Sequence, residues 1–277
     1  MFESRQRAPV LFEVDAAPVE IINPAAVRPL LLTGDHAGNA VPKSLGDLGL
    51  APGELDRHIG WDIGVAGLTR ALAARRECTA VLARYSRLLI DPNRPLGDPQ
   101  SIPEVSDGTP IPANRSLTEN DRRARADALY WPYHRTIDEH IGRLQRLGNV
   151  PVVLAMHSFT PALQADVLQE GACPRPWHVG VLFGRDERLS RLLLAALKAA
   201  KFMGTRLVVG ANEPYSGVTH GYGLKVHGIA HGLPHAELEI RQDLISTPAG
   251  QERWAELLAA VLKTVLNHDD LRKVEHY

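Results

Sequence analysis

The sequence is poor in cysteine and in long apolar segments. Cys78 and Cys173 are the only two cysteines among 277 residues, which excludes a disulfide framework and a four-cysteine metal site as the basis of the fold. Apolar runs such as residues 151–156 are far shorter than the roughly 20 residues that a membrane helix needs. The first residues, MFESRQRAPV, are charged and lack the apolar segment of a signal peptide. These absences predict a cytoplasmic protein that does not associate with a membrane.

An excess of one charge sign is also missing. The chain has 31 basic and 32 acidic residues and a formal net charge of -1, so its composition predicts no nucleic-acid partner. The nearest basic cluster is Arg122, Arg123 and Arg125, which alternates with acidic residues. This pattern favours a solvated helix face over a phosphate-binding patch. The composition is that of a globular protein, and we expect one domain over residues 1–277.

Short apolar segments alternate with longer helical segments along most of the chain. Strands are predicted at residues 29–33, 78–83, 151–156, 177–183, 207–210 and 234–240, with a possible one at 12–14, and helices at 62–75, 116–147, 186–201 and 247–266. This alternation predicts an α/β fold, in which a mixed, mainly parallel sheet is flanked by helices on both faces. Residues 95–115 carry five prolines and are predicted to form a long loop.

Three local signals predict how the helices begin and break. Asp62 stands where an N-cap residue would precede the first helix. Ser116 and Glu119 have the spacing of a capping box at the start of the second. Pro132 is expected to kink that helix or to divide it in two.

Polar residues accompany the ends of three predicted strands. His36 and His157 each follow an apolar strand, Glu239 lies in the last one, and Asp62 opens the helix after the His36 loop. Ligands of open α/β sheets bind outside the carboxyl ends of the strands, so these four side chains are expected to converge. Two imidazoles and a carboxylate suit catalytic zinc and leave a position for water, although other divalent metals are possible. Glu239 is the expected general base.

Each of these residues also has a purely structural interpretation. Asp62 could serve as an N-cap, His36 as a turn residue and His157 as a hydrogen-bonded core histidine, while Glu239 could lie on an exposed strand face with Glu237. The sequence has no HExxH motif to support metal binding. A second set of histidines within a glycine-rich segment shares no helical or strand period and is a weaker candidate: His220, His227, His231 and His235.

Other polar residues are suited to binding a substrate. Arg87, Asn93 and Arg94 lie close to a strand end, and arginine side chains bind carboxylates in bidentate fashion, although Arg87 could equally form a surface ion pair. Asn212 and Tyr215 lie in a turn-rich loop, where either could donate a hydrogen bond to an oxyanion. Arg241 is expected on the same strand face as Glu239, and we predict that Asn212 and Arg241 bind substrate together with the first three residues.

Seven short motifs in order resemble the N-formylglutamate amidohydrolase family between residues 34 and 244. They are DHAGNAVP, GWDIG, YSRLLIDPNRP, PYH, HSFTP, NEPYSG and ELEIRQDL. The resemblance implies a phosphorylase/hydrolase-like fold related to zinc carboxypeptidases. It also implies hydrolysis of a small N-acyl amino acid, as in the cleavage of N-formyl-L-glutamate to formate and glutamate during histidine degradation.

The same resemblance implies roles for individual residues. His36, Asp62 and His157 would bind zinc, Glu239 would act as general base, and Arg87 and Arg94 would meet substrate carboxylates. Carboxypeptidase-like enzymes usually carry HxxE at the first ligand, whereas Asn39 stands at the glutamate position here, so Asp62 is the candidate for the carboxylate ligand.

Two alternatives remain open at the level of the sequence. One is a metallopeptidase or deacylase for a larger acyl group, with the 95–115 loop forming a wider pocket. The other is a non-catalytic protein that binds an anionic metabolite through its arginines. The oligomeric state and the acyl group are not predicted.

Overall fold

The computed structural model describes residues 10–11, 15–162 and 175–277, so the predicted strand at 12–14 and Cys173 lie outside the described residues. The strands are β1 (Val19–Ile22), β2 (Leu30–Gly34), β3 (Thr79–Ala83), β4 (Val105–Ser106), β5 (Thr109–Pro110), β6 (Val152–Phe159), β7 (Val179–Leu182), β8 (Lys201–Phe202), β9 (Thr205–Arg206), β10 (Val209–Ala211) and β11 (His235–Arg241). The α-helices are α1 (Val65–Arg76), α2 (Glu119–Arg125), α3 (Trp131–Arg146), α4 (Arg188–Ala199) and α5 (Pro248–Val265).

The central sheet has seven strands in the order β1-β3-β2-β6-β11-β7-β10. Strands β3, β2, β6 and β11 are parallel neighbours, while β1 and β7 run antiparallel to β3 and β11. The predicted mixed, mainly parallel sheet is therefore confirmed. Because β2, β6 and β11 lie side by side and point the same way, their carboxyl ends meet at one edge of the sheet.

Helices cover both faces of this sheet. Helices α1, α4 and α5 bury apolar side chains such as Leu68, Leu193 and Trp254 in the main core. Helix α3 packs Tyr133 and Ile137 against the opposite face. No helix among the described residues combines the length and apolarity needed to cross a bilayer.

Strand β11 carries different chemistry on its two faces. Ala236, Leu238 and Ile240 belong to the core that α1, α4 and α5 cover. Successive side chains of a strand point to opposite faces, so Glu237 and Glu239 point the other way. Both glutamates are nevertheless buried, which excludes the interpretation of this strand as an exposed face.

Two helices begin later than predicted. Helix α1 starts at Val65 after Gly64, whose φ of 85° favours glycine, and a Cβ at Gly64 would lie 2.1 Å from the carbonyl oxygen of Ile245. Asp62 is therefore not the N-cap. Helix α2 begins at Glu119, and its capping box pairs the N-cap residue Thr118 with Asp121, so the predicted pairing of Ser116 with Glu119 is wrong.

Pro132 lies in the first turn of α3, where a missing N–H is tolerated. A π-helical turn, Ala126–Tyr130, stands between α2 and α3. The backbone therefore stays helical from α2 to α3, and its hydrogen bonding changes from α to π just before Pro132.

The proline-rich loop is packed rather than free. It contains the β4–β5 ribbon, and its Ile102 and Ile111 join a second core with Tyr85 and Leu129. Asn114, which is fully buried, donates hydrogen bonds to the carbonyl oxygens of Leu88 (2.8 Å) and Pro103 (2.6 Å). The loop thereby forms a fixed wall beside the sheet edge.

Arg125 supports that wall from α2. It is 3% exposed and donates to Asn114 Oδ1 at 2.7 Å and to the Leu89 carbonyl oxygen at 3.0 Å. Burial lowers the pKa of its guanidinium to about 10, and no carboxylate pairs with it within the described ranges. The interpretation of the basic cluster as a solvated face is therefore wrong for Arg125.

Replacing Arg125 with methionine is expected to lower the free energy of unfolding by about 2–4 kcal/mol, because the buried oxygens of Asn114 and Leu89 lose their donor. Urea denaturation of the full chain measures this loss. The exposed Arg123 on the same helix provides the control, and R123M is expected to change stability by less than about 0.5 kcal/mol. Equal losses in the two variants would contradict this account of Arg125.

Candidate metal centre and active site

Four side chains from separate chain segments converge at the carboxyl edge of the sheet. His36 follows β2, His157 lies near the end of β6, and Glu239 of β11 is the register partner of His157. The Asp62 N–H donates to the carbonyl oxygen of His36 at 2.8 Å, which ties the GWDIG loop to the loop after β2. The four residues named from the sequence therefore lie in one place.

Asp62 connects the two imidazoles. Its Oδ1 lies 3.5 Å from His36 Nδ1, and its Oδ2 lies 2.9 Å from His157 Nδ1 and accepts from the Ser158 N–H at 3.2 Å. The two imidazole rings are 5.0 Å apart between centroids. All three residues are buried, and each offers one donor atom within 4.8 Å of the others.

Several donor atoms in this cluster are unpaired, which is the test of whether the residues fit a metal. His36 Nδ1, His157 Nε2 and Glu239 Oε2 are buried and have no hydrogen-bond partner in the described part of the chain. Buried polar atoms are rarely left unsatisfied without a functional reason. A divalent cation accounts for them, so the residues fit a metal.

The metal-binding donors form two overlapping groups that share His157. One contains His36 and Asp62, and the other contains Glu237 and Glu239. Two imidazoles with one carboxylate match catalytic zinc better than one imidazole with two carboxylates. In the first group, His36 also has the outer partner expected of a zinc-bound histidine.

That outer partner is a carboxylate, because His36 Nε2 is 2.7 Å from Asp91 Oδ1. His157 Nε2 lies 3.5 Å from Asp35 Oδ2 without forming a hydrogen bond to it. Tyr133 donates its hydroxyl to Asp35 Oδ1. Carboxylates behind metal-binding histidines fix the ring orientation and raise ligand basicity.

Asp35, Asp91 and Tyr133 had no predicted role. Both aspartates stand in the quoted motifs DHAGNAVP and YSRLLIDPNRP, and the tyrosine stands in PYH. An aspartate after a strand is also a common turn residue, so its position in the sequence does not reveal a histidine partner.

The site concentrates negative charge. Burial opposes ionisation of Asp62, but His36 and His157 outweigh it and hold the pKa of this carboxyl well below its usual range. Burial, together with the charges of Glu237 and Asp62, raises the pKa of Glu239 well above its usual range. This surplus of carboxyl groups favours a bound cation.

A cavity of about 550 Å³ opens onto these groups. Arg87, Asn93 and Arg94 line it, as do Tyr215 and Lys225. Arg87 donates to Asp91 Oδ2 at 2.7 Å and lies 3.6 Å from Asp62 Oδ1, so it is already engaged by two carboxylates. Arg94 donates to Asp98 at 3.3 Å.

Two predicted substrate residues are not brought to the cavity wall. Asn212 Oδ1 accepts from the backbone N–H groups of Phe183 and Gly217, both at 3.0 Å, which makes it a loop-stabilising residue. Arg241, the last residue of β11, pairs with Asp243 at 2.8 Å. Tyr215 is the residue of the turn-rich loop that reaches the cavity, and its hydroxyl accepts from Arg175 at 3.0 Å.

The glycine-rich histidine segment forms no shared metal group among the described residues. His220 lines the cavity, whereas His227 and His235 are buried elsewhere. His231 lies near Asp138 on the surface, 3.8 Å from it. The lack of a common period in this segment is reflected in these separate positions.

Comparisons with known proteins agree with this geometry. The model of the family described as N-formylglutamate amidohydrolase matches residues 28–246. No curated protein matches the sequence. The crystal structure of gene product Atu2144 from Agrobacterium tumefaciens is 34% identical, with a TM-score of 0.85, and the alignment covers 93% of this chain and 98% of that one.

A second similar structure is N-formylglutamate amidohydrolase from Ralstonia eutropha JMP134. It is 22% identical with a TM-score of 0.65, and the alignment covers 91% of this chain and 99% of that one, which shows a shared fold. The family model spans most of the chain and includes every element that supplies the site. The chain therefore belongs to the N-formylglutamate amidohydrolase family.

Proposed function

We propose that the protein is a zinc-dependent amidohydrolase that cleaves the C–N bond of an N-formyl amino acid such as N-formyl-L-glutamate, in histidine degradation. One observation supports the proposal more strongly than the others. Two buried imidazoles and a carboxylate, with unpaired donor atoms, stand beside a buried glutamate in a cavity that also presents cationic side chains.

His36, Asp62 and His157 would hold the metal. Bound there, zinc would supply a water of lowered pKa and polarise the acyl carbonyl. Asp91 orients the His36 imidazole through its Nε2 atom. Arg87, which contacts both Asp91 and Asp62, keeps these carboxylates in place.

Glu239 has the position of a general base. It is buried, it is level with His157 across the β6–β11 pair, and its Oε2 has no partner within the described residues. In the proposed reaction its carboxylate takes a proton from the attacking water and delivers it to the leaving amine. The C–N bond breaks, and formate and the free amino acid leave.

Several side chains suit the binding of an anionic substrate. Lys225 lines the cavity and has no carboxylate partner in the described ranges. Arg94 donates to the partly exposed Asp98 at 3.3 Å, and its Nε lies 3.6 Å from Asp91 Oδ2. We propose that these two cations meet substrate carboxylates, together with Asn93 and Arg87. Tyr215, polarised by Arg175, is suited to donate to the acyl oxygen.

Metal analysis tests the zinc centre. We expect the purified protein to contain or take up about one equivalent of zinc. We expect removal of zinc by a chelator to abolish hydrolysis of N-formyl-L-glutamate, and its return to restore activity. Less than about half an equivalent, with no gain on adding zinc, would contradict the proposal.

A second candidate is a deacylase or peptidase for a larger acyl group, which the cavity of about 550 Å³ has room for. Comparing kcat/KM for N-formyl-L-glutamate, N-acetyl-L-glutamate and a glutamate-containing dipeptide separates the two. We expect kcat/KM for the formyl compound to exceed that for the other two by at least about tenfold, because the three compounds differ in the acyl group that the pocket must accept. Binding of all three without turnover would identify a non-catalytic protein.

A further inference from the structure

Two histidines that the proposed chemistry does not use stack behind the cavity wall. The rings of His134 and His227 are 5.0 Å apart with an interplanar angle of 25°. His134 Nδ1 and His227 Nε2 are 2.8 Å apart, and the residues are 6% and 2% exposed. His227 belongs to the π-helical turn Leu224–Gly228, and such turns are frequent at functional sites.

Each end of this pair has a further partner. His134 Nε2 lies 3.0 Å from the carbonyl oxygen of Pro92, and His227 Nδ1 lies 2.8 Å from Asp138 Oδ1. A carbonyl oxygen only accepts, so His134 Nε2 carries a proton and donates it. Burial lowers the pKa of His134 to about 4, so its ring is neutral and its Nδ1 accepts from His227. His227 Nε2 therefore donates to His134 Nδ1, and His134 Nε2 donates to the Pro92 carbonyl oxygen.

This chain of hydrogen bonds is not a proton path, because the Pro92 carbonyl cannot pass a proton onward and proline has no N–H. These hydrogen bonds instead hold the Pro92 carbonyl group in place. Pro92 stands between Asp91, whose Oδ1 accepts from His36 at 2.7 Å, and Asn93, which lines the cavity.

A second contact from the same helical region holds another carbonyl of this turn, that of Arg94. Tyr130, four residues before His134, donates its hydroxyl to the carbonyl oxygen of Arg94 at 3.2 Å. Within the turn, the Asn93 N–H donates to Asp91 Oδ1 at 2.8 Å. Residues 91–94 are therefore held from one side by Tyr130 of the π-helical turn and His134 of α3.

We propose that His134, supported by His227 and assisted by Tyr130, is a positioning residue that sets the 91–94 turn and through Asp91 orients the metal-binding imidazole of His36. This inference rests on the proposed function, because it concerns a ligand of the proposed metal centre. Carboxylate partners of metal-binding histidines affect metal affinity by about 10–100-fold, so loss of their support reduces affinity measurably.

Zinc affinity of the full chain, measured by competition with a chromogenic chelator, tests the proposal. His134→Phe keeps an aromatic ring but removes the donor to Pro92, and we expect it to raise the Kd for zinc by about tenfold or more. In His134→Gln the side-chain amide nitrogen can reach the place of Nε2. This variant is expected to stay within about threefold of the wild type.

Two further variants separate positioning from general damage. Ile137→Val loosens the packing of the same helix without touching Pro92, and we expect the Kd for zinc to stay unchanged. Tyr130→Phe keeps the ring but removes the hydroxyl that donates to Arg94, and it is expected to raise the Kd by about threefold or more. It tests the fixed turn even if His134→Phe does not fold.

The outcomes are distinguishable. If the wild-type protein binds no zinc, this result would contradict both the proposed metal centre and the proposed function. Normal zinc binding by the wild type, with equal affinity in His134→Phe or in Tyr130→Phe, would overturn the positioning role alone. The role would also be overturned if His134→Gln were as weak as His134→Phe, or if Ile137→Val weakened zinc binding to the same extent.

Discussion

Replacing Asp62 with asparagine is expected to reduce zinc affinity by more than about a hundredfold and kcat/KM for N-formyl-L-glutamate by more than about a thousandfold. Asparagine keeps the shape of the side chain but removes the charge that lies between the two imidazoles, 2.9 Å from His157 Nδ1 and 3.5 Å from His36 Nδ1. Its amide nitrogen would face a ring nitrogen or the metal in place of an oxygen. Zinc titration and steady-state kinetics measure the two losses.

Asp56 provides a matched control for this substitution. It is exposed, it lies in the preceding turn, and its Oδ1 accepts from Asn39 at 3.0 Å, a bond that asparagine can retain. We expect Asp56→Asn to leave zinc binding and turnover unchanged. Full zinc occupancy in Asp62→Asn would show that the carboxylate ligand comes from another residue, with Glu237 and Glu239 as the other carboxylates that can share His157.

Replacing Glu239 with glutamine is expected to lower kcat by about 10²–10⁴-fold while zinc content and KM stay near their wild-type values. The carboxylate is the proposed proton carrier, and an amide of the same shape cannot take a proton from water. Kinetics on protein of measured zinc content separate this effect from loss of metal.

The neighbouring Glu237 provides a comparison variant for that experiment. Both glutamates are buried on the same face of β11, and Glu237 Oε2 lies 4.0 Å from His157 Nε2. We expect Glu237→Gln to act mainly through His157 and therefore to cost less in kcat than Glu239→Gln. A Glu239→Gln enzyme that retains more than about a tenth of wild-type kcat would exclude Glu239 as the base.

The sequence was sufficient to place six of the seven strands of the sheet, whereas β1 (Val19–Ile22) was not predicted. Buried parallel strands are read from short apolar runs bounded by turns, and the runs at 29–33 and 151–156 lie within one to three residues of β2 and β6 at each end. Their shared direction then led us to expect His36, Asp62 and His157 together, and the structure brings their donor atoms within 4.8 Å. Convergence at one sheet edge follows from topology and needs no side-chain detail.

Features that depend on tertiary contacts could not be predicted from the sequence in the same way. Asp62 has a local pattern that favours an N-cap, but Gly64 takes that position and leaves the carboxylate to the site. Arg125 looked solvated because its neighbours are charged, yet Asn114, eleven residues away, holds it in the interior. Asn212 looked like an oxyanion donor, but its side-chain oxygen is used by its own loop.

Acidic and apolar side chains alternate along β11, so the candidate active site depends on the register of this strand against β6. Shifting this strand by one residue against β6 would carry Glu237 and Glu239 among the leucines beneath α1 and α5, and would bring Leu238 into the cavity. Deletion or insertion of a single residue between Leu233 and Glu237 would therefore displace the proposed base and disrupt the core together. A substitution along this strand changes one face of the sheet, whereas a change in its length alters both.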